Sequence, residues 1–185
     1  TGLMFPPMWE ACYSQMIQQS YVPKIVDIGI VSLFPVTMEG LGPKAYGMSG
    51  PSWWHPTYPY KSSLTGETCM DLTLRYEQET GEQWTQPIEH YMLGEWAVDV
   101  FKRTKNVDDK EEIIKNVAST KMDTIVGHID FTTPVTSFGS AVGRGAEVVG
   151  TRIFENIVML PMWMGQWVEG TKQNPWSTKA WPFDL

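Results

Sequence analysis

The sequence has 185 residues, of which 42% are hydrophobic and 19% charged, and its formal net charge is −7. This length suits one domain or two small ones, and the composition is typical of a globular chain rather than a disordered one. The negative charge argues against a nucleic-acid partner, because phosphate groups would repel it. No apolar run is long enough to predict a membrane-spanning helix.

The N-terminal segment predicts a βαβ unit. GLMFPP indicates a short strand ended by two prolines, and apolar residues at helical spacing predict an amphipathic helix over residues 8–20. A β-branched run predicts a second strand near Lys24–Ile30. A strand, a helix and a strand within roughly thirty residues imply parallel strands. The glycine-rich stretch that follows predicts a short helix, a loop and a strand.

An aromatic stretch, SGPSWWHPTYPY, occupies residues 49–60 and places five large rings among three prolines. Proline fixes φ, removes a hydrogen-bond donor and pushes the preceding residue into extended geometry. The stretch is therefore predicted to be an extended connection, neither a regular helix nor a central strand. Its rings must pack on the protein, line a groove or face a partner.

Three helices are predicted in the middle of the chain. The first lies in SSLTGETCMDLTLRYEQETGEQ, where Thr65 or Ser63 can act as the N-cap. The second runs from about Pro87 to Lys102. The third begins at Asp108, which with Glu111 resembles a capping box. The two cysteines, Cys12 and Cys69, fall in helical patterns and predict buried thiols; they are too few for a disulfide scaffold.

The C-terminal part returns to strand character. DTIVGHIDF predicts a strand around residues 124–131, and residues 132–152 predict a loop with a short strand. FENIVMLPMWMGQWVEG predicts β structure broken by Pro161, and the tail after it has no period. The whole is an α/β chain, a class that binds ligands beyond the carboxyl ends of its parallel strands. Here those ends lie near Phe5–Pro7 and Gly29–Ser32.

Signatures of catalysis are absent from the sequence. It contains no G-x-S-x-G, Walker, dinucleotide-binding or H-E-x-x-H motif, and the glycines of GRGAEVVG have the wrong spacing for a phosphate loop. The histidines, His55, His90 and His128, are too far apart in sequence to argue for a metal pair. We therefore predict no catalytic residue, no metal and no cofactor. Among the histidines, His55 is the candidate for lining a binding cleft.

Four segments, in this order, resemble a known protein family. They are GLMFPPMWEACYSQMIQQSYVPKIVDIG, SSLTGETCMDLTLRYEQETGEQWTQP, AVDVFKRTKNVDDKEEIIKNVASTKMDTIVGHIDF and MGQWVEG. Together they resemble the second half of a type I periplasmic solute-binding protein, most nearly the leucine/isoleucine/valine-binding group that serves ABC importers. The resemblance covers nearly the whole chain. It implies an α/β fold of two Rossmann-like lobes with a hinge, of which only the C-terminal half is represented here.

The resemblance also implies a division of the chain. Residues 1–48 belong to the second, C-terminal lobe, and residues 49–60 form a hinge crossing and the mouth of the cleft. Residues 61–122 belong to the first, N-terminal lobe, and residues 123–185 form the hinge return, further second-lobe strands and the tail. The first half of the same protein is then a missing partner, and the opening TGLMFPPMWE, which lacks a methionine at its start, fits a processed or truncated chain.

In this family, side chains that follow two second-lobe strands reach the ligand, one often aromatic and another polar or acidic. The resemblance places these positions near Phe5–Pro6 and Ile30–Val31. Phe5 fits an aromatic wall, whereas Ile30 departs from the polar residue, which favours an apolar or aromatic acid or an amide over a free amino acid. The predicted ligand-binding residues, from these positions and from the cleft mouth, are Phe5, Pro6, Ile30, Trp53, Trp54 and His55.

The function implied by the resemblance is that of a non-enzymatic substrate-binding component of an ABC importer. Such a protein captures a small organic solute, for example a branched-chain or other amino acid, an amide or an aromatic acid, by hinge closure. Its partners are the solute and a membrane permease. It carries a signal peptide and is periplasmic or lipid-anchored outside the cell. Two alternatives stay open: an enzyme, and a carbohydrate-binding or structural interaction module that uses exposed tryptophans.

Overall fold

The structure is a computed structural model that describes residues 1–132, 163–169 and 176–181. The chain divides into two compact units. Unit 1 comprises residues 1–58, 69–89 and the segment from 162 onwards, and unit 2 comprises residues 59–68 and 90–161. The described residues form both helices and strands, so the predicted α/β class is confirmed. The lobe boundaries inferred from the resemblance stay predictions.

Unit 1 begins with the predicted βαβ arrangement of β1 (Gly2–Met4), α1 (Pro6–Gln18) and β2 (Ile28–Ile30). β1 and β2 pair in parallel, as predicted, with Met4 opposite Ile30. The helix begins at the prolines that end the strand, because the first helical turn needs no N–H donor and proline already has a helical φ. β2 covers only the last part of the predicted strand.

The rest of unit 1 consists of α2 (Pro35–Leu41), β3 (Ser49–Ser52), α3 (Cys69–Thr80), β6 (Trp163–Glu169) and β7 (Trp176–Trp181). Short 3-10 turns lie at Val31–Leu33 and Gly42–Ala45. β6 pairs antiparallel with β3 on one side and with β7 on the other. The tail, in which the sequence shows no period, thus contributes β7, which is held by pairing with β6. All but the first residue of the loop predicted for residues 132–152, and the break predicted at Pro161, lie outside the described residues.

The hydrophobic core of unit 1 is built around α1. Trp9 and Tyr13, one turn apart on this helix, stack with their ring centroids 5.1 Å apart. Trp167 of β6 enters the same core and donates its Nε1–H to the carbonyl of Ser32 at 3.2 Å. The buried members of the core are Trp9, Tyr13, Ile28, Val31, Met38, Ala45, Met48 and Trp167. The core thus fixes the strands against α1 and α2.

Helix α3 starts later than the sequence predicts. It begins at Cys69, which is buried, so neither Ser63 nor Thr65 caps it. The hydroxyl of Ser62 instead accepts the N–H groups of Leu64 and Thr65, at 3.2 and 3.1 Å. These bonds close a local turn before the helix, which is the usual competition between short polar side chains and helical structure.

Unit 2 contains α4 (Tyr91–Arg103), α5 (Lys110–Ala118), β4 (Lys121–Thr124) and β5 (Gly127–Asp130). β4 and β5 form an antiparallel hairpin with its turn at Ile125 and Val126. The single strand predicted for DTIVGHIDF is therefore wrong. The turn residues are apolar and buried, so they continue the strand pattern, and only Gly127, with a φ of 116°, marks the reversal.

The N-cap of α5 also differs from the prediction by one residue. The side chain of Asp109, not Asp108, accepts the N–H groups of Glu111 and Glu112, at 3.0 and 3.2 Å.

We expect Asp109→Ala to lower the free energy of unfolding by about 1 kcal/mol, because two helix donors lose their acceptor. Urea denaturation measures the difference. Asp108→Ala is the matched control and should change the stability by less than about 0.5 kcal/mol; equal effects of the two would contradict the assignment.

Candidate functional site

All six residues predicted to bind a ligand lie in unit 1, where they form two groups. The first group comprises Phe5, Pro6 and Ile30. Because β1 and β2 are parallel and Met4 pairs with Ile30, the residues that follow the two strands emerge at one edge of the sheet. Phe5 is the N-cap residue of α1, and 63% of its surface is exposed. The structure thus brings these three residues together at the carboxyl edge of β1 and β2.

The backbone of Ile30 is strained. Its dihedral angles, φ 67° and ψ −54°, are those of a γ-turn that β-branched residues rarely adopt. Such a conformation costs on the order of 1–3 kcal/mol and persists only where surrounding structure holds it. It turns the chain sharply from β2 into the 3-10 turn Val31–Leu33, so this edge of the sheet is bent rather than extended.

The second group comprises Trp53, Trp54 and His55, which follow β3. Trp54 has no exposed surface and packs edge-to-face on Trp84, with the ring centroids 5.8 Å apart. His55 also contacts the ring of Trp84 edge-on, at 5.3 Å. Trp53 is 37% exposed, and its backbone N–H donates to Oε1 of Gln86 at 2.7 Å. The segment around Trp84 and Gln86, which is part of the family resemblance but was not predicted to belong to the site, therefore organises this group.

The remainder of the aromatic stretch folds back on its own strand. Tyr58 is buried and donates its hydroxyl to the carbonyl of Ser52 at 2.8 Å. Its ring lies edge-on to that of Trp163 on β6, at 6.3 Å. The rings of Trp54 and Tyr58 therefore pack on the protein itself. Of the two adjacent tryptophans, Trp53 is the more exposed.

A very small cavity lies beside Trp84. It measures about 10 Å³ and is lined by Leu33 and Pro35, which follow β2, by residues 83–86, which include Trp84, and by Trp167. Small-molecule pockets typically measure roughly 300–1,000 Å³. This cavity therefore has room for about one water molecule and not for a ligand group. None of the six predicted ligand-binding residues lines it.

The described residues contain no group of three or more His, Cys, Asp or Glu side chains placed to hold a metal ion. His128 contacts a carboxylate, with its Nδ1 at 2.6 Å from Oδ1 of Asp123, but half of its side chain is exposed in unit 2. This pair is an ordinary surface contact across the β4–β5 hairpin.

Unit 2 contains a buried acid, Glu95, on α4. Burial raises the pKa of its carboxyl group, and the hydrogen bonds from Ser62 and from the N–H of Ile125 only partly offset this effect. The N–H of Ile125 donates to Oε2 at 3.2 Å, whereas Oε1 has no hydrogen-bond partner among the described residues. The carboxyl group therefore links the turn of the β4–β5 hairpin to α4 by a hydrogen bond. Burying this group costs less desolvation free energy when it is protonated than when it is charged.

The raised pKa of Glu95 predicts a pH dependence of stability. At pH values above 4.5, the ordinary pKa of a glutamate, Glu95 binds more protons in the native state than in the unfolded chain. The free energy of unfolding therefore falls as the pH rises through the native pKa of Glu95. We expect Glu95→Gln to remove this fall and to be more stable relative to the wild type at pH 8 than at pH 4.5. Urea titrations at both pH values test this. The control is Glu10→Gln, at an exposed position; the same pH trend in both variants would refute the assignment.

Comparisons with known proteins bear on the fold. No family model and no curated protein matches the sequence. Among solved structures, the leucine-binding protein LivK of Thermotoga maritima superposes with a TM-score of 0.64 at 14% identity, over 99% of this chain and 44% of LivK. The chain has the α/β fold of type I periplasmic binding proteins. It spans less than half the length of LivK. None of the helices in the described ranges is both long and apolar enough to cross a membrane.

Proposed function

We propose that this chain is part of a solute-binding protein that captures a small organic solute for an ABC importer. The observation that carries the proposal is the parallel edge of β1 and β2, with Phe5 exposed beside Ile30, in a chain whose fold matches a leucine-binding protein. Ligands of open α/β sheets bind beyond the carboxyl ends of the strands.

The proposal extends to the whole protein. The solute is a branched-chain or other amino acid, an amide or an aromatic acid, held by Phe5, Pro6, Ile30, Trp53 and His55. Trp54 supports these residues from within the core, because its ring is buried against Trp84. The rest of the binding protein supplies the remaining half of the fold, hinge closure traps the solute, and a membrane permease receives it. The protein is periplasmic or lipid-anchored and is not an enzyme.

A carbohydrate-binding module is the second candidate, and the burial of the tryptophans weighs against it. A stacking platform needs flat, exposed rings. Trp53 is 37% exposed but its neighbour Trp54 is fully buried, so the two rings do not form a shared platform. A single exposed tryptophan is common on protein surfaces and needs no ligand to explain it.

Ligand-dependent stability of the full-length protein tests the proposal. A solute at a hundred times its Kd should stabilise the native state by about 2.7 kcal/mol, which raises the melting temperature. The probes are L-leucine, L-phenylalanine, benzamide, benzoate and soluble cellulose oligosaccharides. A shift with one of the four small solutes, together with a smaller radius of gyration in solution scattering, is expected. A shift with the oligosaccharides alone would favour the second candidate, and no shift with any small solute would overturn the proposal.

A further inference from the structure

A larger cavity lies at the amino edge of β2 and β3, away from the carboxyl edge of β1 and β2. The two strands start side by side, because Asp27 bridges to Ser49 in parallel. The cavity measures about 420 Å³, within the roughly 300–1,000 Å³ typical of small-molecule pockets. We call it the amino-edge cavity. Its lining residues, from α1 and from the segments that lead into β2 and β3, are Tyr13, Ile17, Val22, Pro23, Lys24, Val26, Pro43, Lys44, Tyr46, Gly47 and Met48.

The buried part of this lining is apolar and belongs to the hydrophobic core of unit 1. Tyr13 and Met48 are buried members of the core, and Ile17 and Val26 pack against it. An apolar group placed against these side chains is stabilised in proportion to the area that it removes from water. The amino-edge cavity can therefore hold the apolar body of a ligand.

Hydrogen bonds fix the segment that leads into β3, which forms one side of the cavity. The hydroxyl of Tyr13 donates to the carbonyl of Lys44 at 3.2 Å. The N–H of Gly47 donates to the carbonyl of Trp167, and the N–H of Trp167 donates to the carbonyl of Met48, both at 2.8 Å. This side of the cavity is thus held by α1 and by β6. A preformed wall lowers the conformational entropy cost of binding.

The charge of the lining is opposite to that of the whole chain. The chain has 21 acidic and 14 basic residues and a net charge of −7. The cavity is lined by two exposed lysines, Lys24 and Lys44, and by no Asp or Glu. Neither lysine forms an ion pair with any of the described residues. Residues 11–26 and 40–66 contain no acidic residue at all. The surface at the cavity is therefore locally positive, which favours an anion.

We infer that the amino-edge cavity is a second ligand site, which binds a small organic anion with an apolar or aromatic body. Lys24 and Lys44 bind the acid group, and the body lies against Tyr13, Ile17 and Met48. Lysine acts on an anion as a point charge, so a carboxylate and a phosphate share the chemistry that this site recognises. The inference does not depend on the proposed function, because no residue of the proposed solute site lines this cavity.

Calorimetry on the full-length protein tests the inference with 2-naphthoate, the uncharged 2-naphthol and acetate as probes. We expect 2-naphthoate to bind most tightly, because it alone has both a charge and an apolar body. Replacing Lys24 and Lys44 together with glutamine should weaken 2-naphthoate binding about tenfold or more and leave 2-naphthol binding unchanged. The matched control is the double replacement of Lys102 and Lys105 with glutamine, which changes the net charge equally at exposed positions in unit 2. Circular dichroism checks that both variants fold.

A second variant tests where the anion binds. Val22 lines the cavity and is 70% exposed, so Val22→Asp should fold and should weaken 2-naphthoate binding about fivefold or more by charge repulsion. Val107→Asp, at a valine 62% exposed in unit 2, is the control and should not change the affinity.

Three results would overturn the inference and leave the proposed function intact. The first is that 2-naphthoate does not bind or binds no more tightly than acetate. The second is that the lysine double variant retains the affinity of the wild type for 2-naphthoate. The third is that Phe5→Ala loses 2-naphthoate binding while the lysine double variant keeps it, since the probe would then occupy the proposed solute site.

Discussion

Replacing Trp54 with alanine is expected to lower the free energy of unfolding by about 3–5 kcal/mol. The ring has no exposed surface and lies edge-to-face on Trp84, so its removal leaves a large cavity and ends an aromatic contact. Chemical denaturation followed by far-ultraviolet circular dichroism measures the loss. A loss of this size would show that Trp54 is part of the core that supports the site.

Trp53→Ala is the matched control for this prediction. The Trp53 side chain is partly exposed, and its hydrogen bond to Gln86 uses the backbone N–H, which alanine retains. We expect a change below about 1 kcal/mol, as for most surface substitutions. If the Trp54 variant were as stable as the Trp53 variant, the packing described for the aromatic stretch would be incorrect.

Gly50→Ala is expected to destabilise the protein by about 3 kcal/mol, because overpacking costs about 1–3 kcal/mol and sometimes more. A Cβ atom at Gly50 would lie 2.6 Å from the carbonyl oxygen of Ile28 and in still closer contact with Oγ of Ser32. These atoms belong to the backbone of β2 and to a short buried side chain, so they cannot move aside without shifting β3 from β2. The midpoint of urea denaturation reports the change.

Gly40→Ala is expected to have the opposite effect on the free energy of unfolding. Gly40 lies in α2, and an added Cβ would meet no atom within 4 Å. Alanine should therefore stabilise the protein by about 0.5–1 kcal/mol, because it restricts the unfolded chain and favours the helix. Destabilisation by both substitutions to a similar extent would argue against the close approach of β3 to β2.

Local patterns predicted the elements whose signals are contained within a few residues. The strand GLM, the helix that starts at two prolines and the second strand form a unit whose parallel pairing follows from chain connectivity alone. This is why the sequence by itself was enough to assign Phe5 and Ile30 to one edge. The same reasoning could not reveal the γ-turn at Ile30, because a β-branched residue is the least expected one at a positive φ.

Features that depend on distant partners were not predicted. β7 exists because it pairs with β6, and its sequence, WSTKAW, has no periodic signal of its own. Trp84 and Gln86 contact the aromatic stretch from thirty or so positions along the chain, and the only clue to them was a tryptophan in a polar segment. Prediction therefore succeeded for the carboxyl edge and failed for the residues that support the aromatic group.

The pairing of β3 with β6 has a consequence for the synthesis of the protein. The side-chain amide of Gln166 donates to the carbonyl of Gly47, a contact that spans 119 residues of sequence. At about 5–20 residues per second, a ribosome needs on the order of 10 s to make this stretch. During that time β3 lacks its β6 partner, and contacts of such high sequence separation form slowly. An emerging chain therefore presents an unpaired strand edge next to the aromatic stretch, where a chaperone would be of most use.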